Sequence, residues 1–207
     1  MPAILPRRLL LRATPFLAAP ALLIRPAAAQ VPATPAQMEG PYYPRAIPAD
    51  ADADLLRVAG QARTALGRPL LLTGLVRSSD GAALPGAQVE IWQADHAGIY
   101  LHPRDARIAE RDPGFQGYGR AVADGAGRYA FRTIRPGLYP GRTAHIHLRA
   151  RPADGPALTT QVYFPDEARN DGDMLLRRVT GAQRALLIAS VTPMDGGQRA
   201  EFDVILG

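Results

Sequence analysis

The chain has no cysteine and no lysine. Without cysteine there is no disulfide, no thiolate nucleophile and no Cys-based zinc or iron–sulfur site. Without lysine there is no Schiff-base chemistry, and all 24 basic residues are arginine. Aromatics are sparse at 6%, and histidines number only four. The first 29 residues hold no Asp or Glu; Arg7-Arg8 precede Leu9-Leu10-Leu11, an apolar stretch from Phe16 to Ile24, and Ala27-Ala28-Ala29. That order predicts a secretory leader of the Tat-like, twin-arginine type over 1–29, and with it an exported protein, periplasmic or extracellular. The alternative is an N-terminal membrane anchor, but the apolar stretch is short and broken by proline, which favours a cleaved leader and leaves no stable membrane span after its removal. Losing Arg7, Arg8, Arg12 and Arg25 would take the formal net charge from +5 to +1, so the high pI gives no case for nucleic-acid binding.

What remains is long enough for one domain with a sizeable core. Residues 30–69 are rich in Pro, Ala, Asp and Arg, and Pro32, Pro35, Pro41, Pro44 and Pro48 forbid a long helix. They are expected to form an extended N-terminal arm, packed on the domain or on a partner subunit of a homo-oligomer. From Leu70 onward short β-like runs alternate with turn signals: Leu70–Arg77, Gln88–Gln93, Arg128–Thr133, His145–Arg151, Thr159–Phe164 and Arg199–Leu206. This punctuation predicts an all-β domain over 70–207, a β-sandwich of mainly antiparallel strands. Two stretches interrupt it. Ala94–Tyr118 reads as a long irregular loop of functional length, and Asp171–Ala189 as one or two short helices, best at Gln183–Ile188.

The chemistry concentrates in Tyr139-Pro140-Gly141-Arg142-Thr143-Ala144-His145-Ile146-His147, preceded by Trp92 to Tyr100. On a strand His145 and His147 share a face and Ile146 takes the other. Two imidazoles with tyrosines nearby and no carboxylate between them point to a mononuclear metal site of two nitrogens and two phenolate oxygens. Such hard, strongly donating oxygens suit Fe(III) better than zinc. Two tyrosinates and a hydroxide balance three positive charges, and two neutral imidazoles complete five-coordination. Phenols ionise near pH 10, so a cation must lower them. Hydroxide and a displaceable tyrosinate could take the protons of a bound diphenol. Arg142 could stabilise negative charge on a reacting oxygen. His102, two residues from Tyr100, is a rival ligand, and His96 is expected to be solvated.

The chain resembles the intradiol ring-cleaving dioxygenases, the catechol and protocatechuate 3,4-dioxygenase family. The matching stretches are Glu39–Pro44, Leu84–Ala87 with Glu90–Ala94, Gly98–Tyr100, Gly117–Arg120, Asp124–Phe131, Thr133–Gly137 with Tyr139-Pro140, Ala144–His147, Leu158–Phe164 and Pro193–Leu206. The resemblance implies a mononuclear non-haem Fe(III) cofactor held by Tyr100, Tyr139, His145 and His147. Tyr139 matches the tyrosinate that leaves when substrate chelates, and Arg142 and Gln161 match residues beside the bound ring. The implied reaction takes a small catechol-type substrate and O₂, and cleaves between the two hydroxylated carbons to a cis,cis-muconate-type diacid.

One departure stands out. Familiar members carry a longer segment between the second tyrosine and the Ala-His-Ile-His stretch, often with an aromatic after Tyr-Pro, whereas here Gly141 and Arg142 follow at once. A shorter rim would leave the site more open and admit bulkier catechols. A rival of another class is a non-catalytic transthyretin-like or carboxypeptidase-regulatory-like β-sandwich binding module, which Thr73–Val76, Leu84–Val89 and Asp124–Phe131 also resemble. Fold alone does not separate the two; the Tyr/Tyr/His/His set favours the enzyme, because a scaffold has no need of it.

Overall fold

The computed structural model describes residues 30–207, and the leader expected over 1–29 lies outside the described residues. Among the described residues nine strands form two sheets. The first joins β1 (Pro69–Ser78), β4 (Arg128–Ile134), β7 (Ser190–Met194), β8 (Gly197–Glu201) and β9 (Val204–Leu206) in the order β4-β1-β8-β7, with β9 also on β1. The second joins β2 (Gln88–Trp92), β3 (Tyr118–Val122), β5 (His145–Arg151) and β6 (Leu158–Tyr163) in the order β3-β2-β5-β6, antiparallel throughout. Only β8 and β9 run parallel to β1. The all-β sandwich is therefore as expected, and among the described residues helix is confined to α1 (Gly181–Ala185) and three short 3-10 turns.

Strand periodicity separates core from site. Ile146, Leu148 and Ala150 of β5 point between the sheets, where they join Val89 and Ile91 of β2, Val162 of β6, and Leu70, Leu72 and Phe131 of the facing sheet. Each buried Val, Leu, Ile or Phe among them contributes about 1.5–3 kcal/mol relative to exposure. His145 and His147 fall on the opposite, outer face, and that face is covered too, because both histidines are buried.

The cover comes from two irregular segments. The arm runs extended along the sandwich, with Val31 N–H donating to Ser79 O, Thr34 to Ile205 O and Gln37 to Thr159 O; it packs on its own domain. The loop between β2 and β3 has no strand ladder, and buried aspartates satisfy its amides instead. Asp95, Asp105 and Asp112 each accept the N–H two residues on, at Ala97, Arg107 and Gly114, the Asx turn. Among the described residues no helix is long and apolar enough to cross a membrane.

Candidate metal centre

Strand register lays out the floor of the site. Across the outer face Tyr118, Trp92, His147 and Gln161 stand opposite one another on β3, β2, β5 and β6, and His145 stands opposite Tyr163. The indole of Trp92 stacks on the His147 ring at 4.9 Å and 8°.

Loops bring the two tyrosines over this floor. Tyr100 is fixed by its own amide, which donates to Asp105 Oδ2 at 2.8 Å. Gly98, at φ +76°, lets this segment pass the one carrying Tyr139, since a Cβ there would lie 2.2 Å from the Leu138 carbonyl. Tyr139-Pro140-Gly141-Arg142 closes as a turn, Arg142 N–H donating to Tyr139 O at 3.3 Å, with proline second and Gly141 third at φ +80°. The turn sets the Arg142 and Tyr139 side chains on the same side of the chain.

The result is convergence on one nitrogen. His145 Nε2 lies 3.5 Å from Tyr100 Oη, 3.3 Å from Tyr139 Oη and 3.2 Å from Arg142 Nη1. The His147 ring meets His145 edge-on at 4.9 Å. Arg142 also donates to Tyr139 Oη at 3.4 Å, Gln161 Oε1 at 2.6 Å, Tyr163 Oη at 3.1 Å and Asp173 Oδ2 at 2.8 Å. The arm closes the top: Tyr42 stacks on Tyr100 at 4.4 Å, Met38 O accepts from Gln161, and Tyr163 donates to Gln37.

Electrostatics suit this pocket to a cation. Burial, then the nearby Arg142 charge, pushes His145 down to about 3, and burial, then His145, pushes His147 well below its ordinary value, so both imidazoles are neutral. The Thr143 carbonyl, 2.7 Å from His145 Nδ1, can only accept. Nδ1 therefore carries the proton, and the Nε2 lone pair faces the two phenols. Burial raises both phenols, Tyr100 strongly with help from Tyr139, and Tyr139 less because Arg142 offsets it. They stay neutral unless a positive charge joins them. His147 Nδ1 is buried with no hydrogen-bond partner, a need that protein groups leave unmet. Among the described residues no three of His, Cys, Asp or Glu cluster for a metal; the donors here are two imidazoles and two phenols, which fit Fe(III) by hardness and charge.

Of the residues singled out in the sequence, Tyr100, Tyr139, Arg142, His145, His147 and Gln161 meet here. His102 does not join their ring cluster: its ring contacts Tyr42 edge-on at 5.9 Å and its Nδ1 accepts the Arg104 amide. His96 is exposed, as expected.

Residues 38–206 match the family described as Dioxygenase. The beta chain of protocatechuate 3,4-dioxygenase from Burkholderia cepacia is 36% identical over 167 residues, 75% of this chain and 71% of that protein. The chain belongs to the intradiol ring-cleaving dioxygenases. Another member of this dioxygenase family, a chlorocatechol 1,2-dioxygenase from Pseudomonas sp. (strain P51), is 31% identical over 61% of this chain and 54% of its own. The chain thus spans about half the length of that relative. A solved structure, the dioxygenase domain of a dioxygenase–carbohydrate-binding protein fusion from the cellulolytic bacterium Streptomyces sp. SirexAA-E, is 35% identical with a TM-score of 0.67, covering 84% of this chain and 98% of that one. None of these relatives is a transthyretin-like or regulatory module.

Several residues of this site carry no strong sequence signal. Tyr163 becomes visible only when β5–β6 register sets it opposite His145. The single tryptophan could have been placed by pairing β2 with β5. Asp173 has no spacing relation to Arg142, 31 residues away.

Proposed function

We propose that the chain is a non-haem Fe(III)-dependent dioxygenase that cleaves a catechol-type ring between its two hydroxylated carbons with O₂, giving a cis,cis-muconate-type diacid. Tyr100, Tyr139, His145 and His147 would hold the iron. The observation that carries this reading is the convergence of two phenolic oxygens on the unprotonated Nε2 of His145, with His147 beside it. When bound, ferric iron supplies a Lewis acid that acidifies the substrate hydroxyls and an electron sink that makes the ring reactive toward O₂.

The protein's own groups divide the remaining work. Tyr100 is fully buried and pinned through its backbone, which suits a permanent anchor. Tyr139 is half-buried and its oxygen lies against Arg142, so it suits a displaceable base that takes a proton from a substrate hydroxyl at Oη. The Arg142 guanidinium offers a permanent positive charge to whichever oxygen becomes negative. Gln161, held by Arg142 and by the Met38 carbonyl, borders the same space. Trp92, stacked on His147, and Tyr42, stacked on Tyr100, wall the site with aromatic rings that keep water from it.

Relatives are named for protocatechuate, chlorocatechol and hydroxyquinol, and the substrate class proposed here is a ring with two adjacent hydroxyls. Gly141 is exposed on the short rim with open space around it, which favours catechols with bulky substituents. Oxygen uptake across a panel of catechols tests this. Turnover of catechol and protocatechuate with rejection of large substituted catechols would contradict the open-rim reading, and no uptake with any of them would contradict the enzyme. The leader over 1–29 is proposed to export the protein by the Tat route; the mass of the secreted chain checks cleavage after Ala29.

A further inference from the structure

Asp173 is a buried charge with no part in the scheme above. Its side chain is fully enclosed, and all of its hydrogen-bonding capacity is committed. Oδ2 accepts from Arg142 Nε at 2.8 Å and from the Thr143 amide at 3.0 Å. Oδ1 accepts from the amides of Leu175 at 3.0 Å and Leu176 at 2.9 Å. One carboxylate therefore ties the 3-10 turn Leu176–Arg178 to two neighbours of the site. The first is the Arg142 side chain, which reaches His145 Nε2 and Tyr139 Oη. The second is the backbone of Thr143, whose carbonyl orients the His145 ring.

Arg142 also has somewhere else to go. A cavity of about 290 Å³ opens against the pair, lined by Gly141, Arg142, Thr143, Ala168, Arg169 and Asp173 among others. Arginine is long and rich in rotamers, so without an anchor at Nε the guanidinium can swing into that space, away from Tyr139. There is an electrostatic argument as well. A permanent guanidinium beside a tripositive ion repels it, and a buried carboxylate 2.8 Å from that guanidinium cancels the repulsion.

We propose that Asp173 is a positioning residue: it holds Arg142 against Tyr139 and His145 and balances its charge. The proposal rests on the dioxygenase reading for its catalytic consequence and on geometry for the rest. Asp173→Asn keeps size and removes charge. In metal-free protein the Arg142 Nε–H, assigned by its loss in Arg142→Ala, should exchange slowly with water by NMR and lose that protection in Asp173→Asn. With iron loaded, kcat should fall roughly 10- to 100-fold with iron content retained. In an Arg142→Ala background the same replacement should change kcat less than about 2-fold. Retained protection of Arg142 Nε–H, or an equal loss of kcat in both backgrounds, would overturn the proposal. If Asp173→Asn does not fold, Arg142→Met with Asp173→Asn removes both charges. Recovery of the fold then supports charge balance, and continued unfolding overturns it. Should the native protein turn over no catechol, the enzymatic reading fails, while the exchange measurement still decides the role of Asp173.

Discussion

At the scale of single residues, burial sets the protonation of every proposed ligand. His145, pushed to about 3, and His147, lowered in the same direction, stay neutral in the folded metal-free protein while an unfolded chain takes up protons below about 6.5. The unfolded state binds more protons than the folded one below about 6.5, so stability falls as pH drops from about 6.5 toward 3, by about 1.4 kcal/mol per pH unit for His145, and His147 acts in the same direction. Urea unfolding of metal-free protein at a series of pH values measures this. His145→Gln should flatten the dependence, and an unchanged slope would contradict it. The raised phenols predict that ferric loading near neutral pH releases about two protons per site more than the same iron releases on its own or from a Tyr100→Phe, Tyr139→Phe double variant, a difference that a pH-stat records; no difference would mean that the phenols do not ionise. Arg142→Ala should lower turnover by roughly 10²- to 10³-fold while iron stays bound, and unchanged turnover would remove it from the mechanism.

At the scale of elements, the site is a strand face roofed by two segments without regular structure. Alternation in β5 could be read directly from His145-Ile146-His147-Leu148, because one face is apolar and the other polar. β3 escaped notice: Tyr118-Gly119-Arg120-Ala121-Val122 does not alternate cleanly, and its Gly119 is required where Leu55 and Asp52 press in. β7 escaped because Pro193 argues against a strand, yet β7 lies at a sheet edge, where proline is tolerated. Arg199–Leu206 reads as one run but splits at Phe202-Asp203, which donate and accept across to β1 at Thr73 and Leu75. The order of the 93–117 loop was hidden in its aspartates. Asp95 alone accepts from Ala97, Ile99 and Asp112 while nearly fully buried. Asp95→Ala should cost about 2–4 kcal/mol and speed amide exchange across this loop before the strands. Exchange unchanged there would show that the loop is held by other means.

At the scale of the whole molecule, the sandwich keeps its core between the sheets and its chemistry outside them, so loops and rim can vary while the His-x-His floor stays fixed. The arm belongs to this unit. Family similarity begins at residue 38, and Tyr42 is stacked on Tyr100 rather than extended into solvent. Three of the four proposed ligands, Tyr139, His145 and His147, were legible because they sit together on β5 and in the turn before it, whereas Tyr100 stands in the 93–117 loop and was singled out through the family motif. The supporting shell was not, because Tyr42, Tyr163 and Asp173 reach the site only through tertiary contacts. The most direct measurement is the visible absorption spectrum of iron-loaded protein beside that of Tyr100→Phe. A broad tyrosinate-to-Fe(III) charge-transfer band, lost on reduction and weakened or shifted together with loss of catechol cleavage in Tyr100→Phe, where Tyr139 alone still supplies a phenolate, is the predicted result. A colourless protein carrying one iron per chain, or an unchanged band in Tyr100→Phe, would contradict the account.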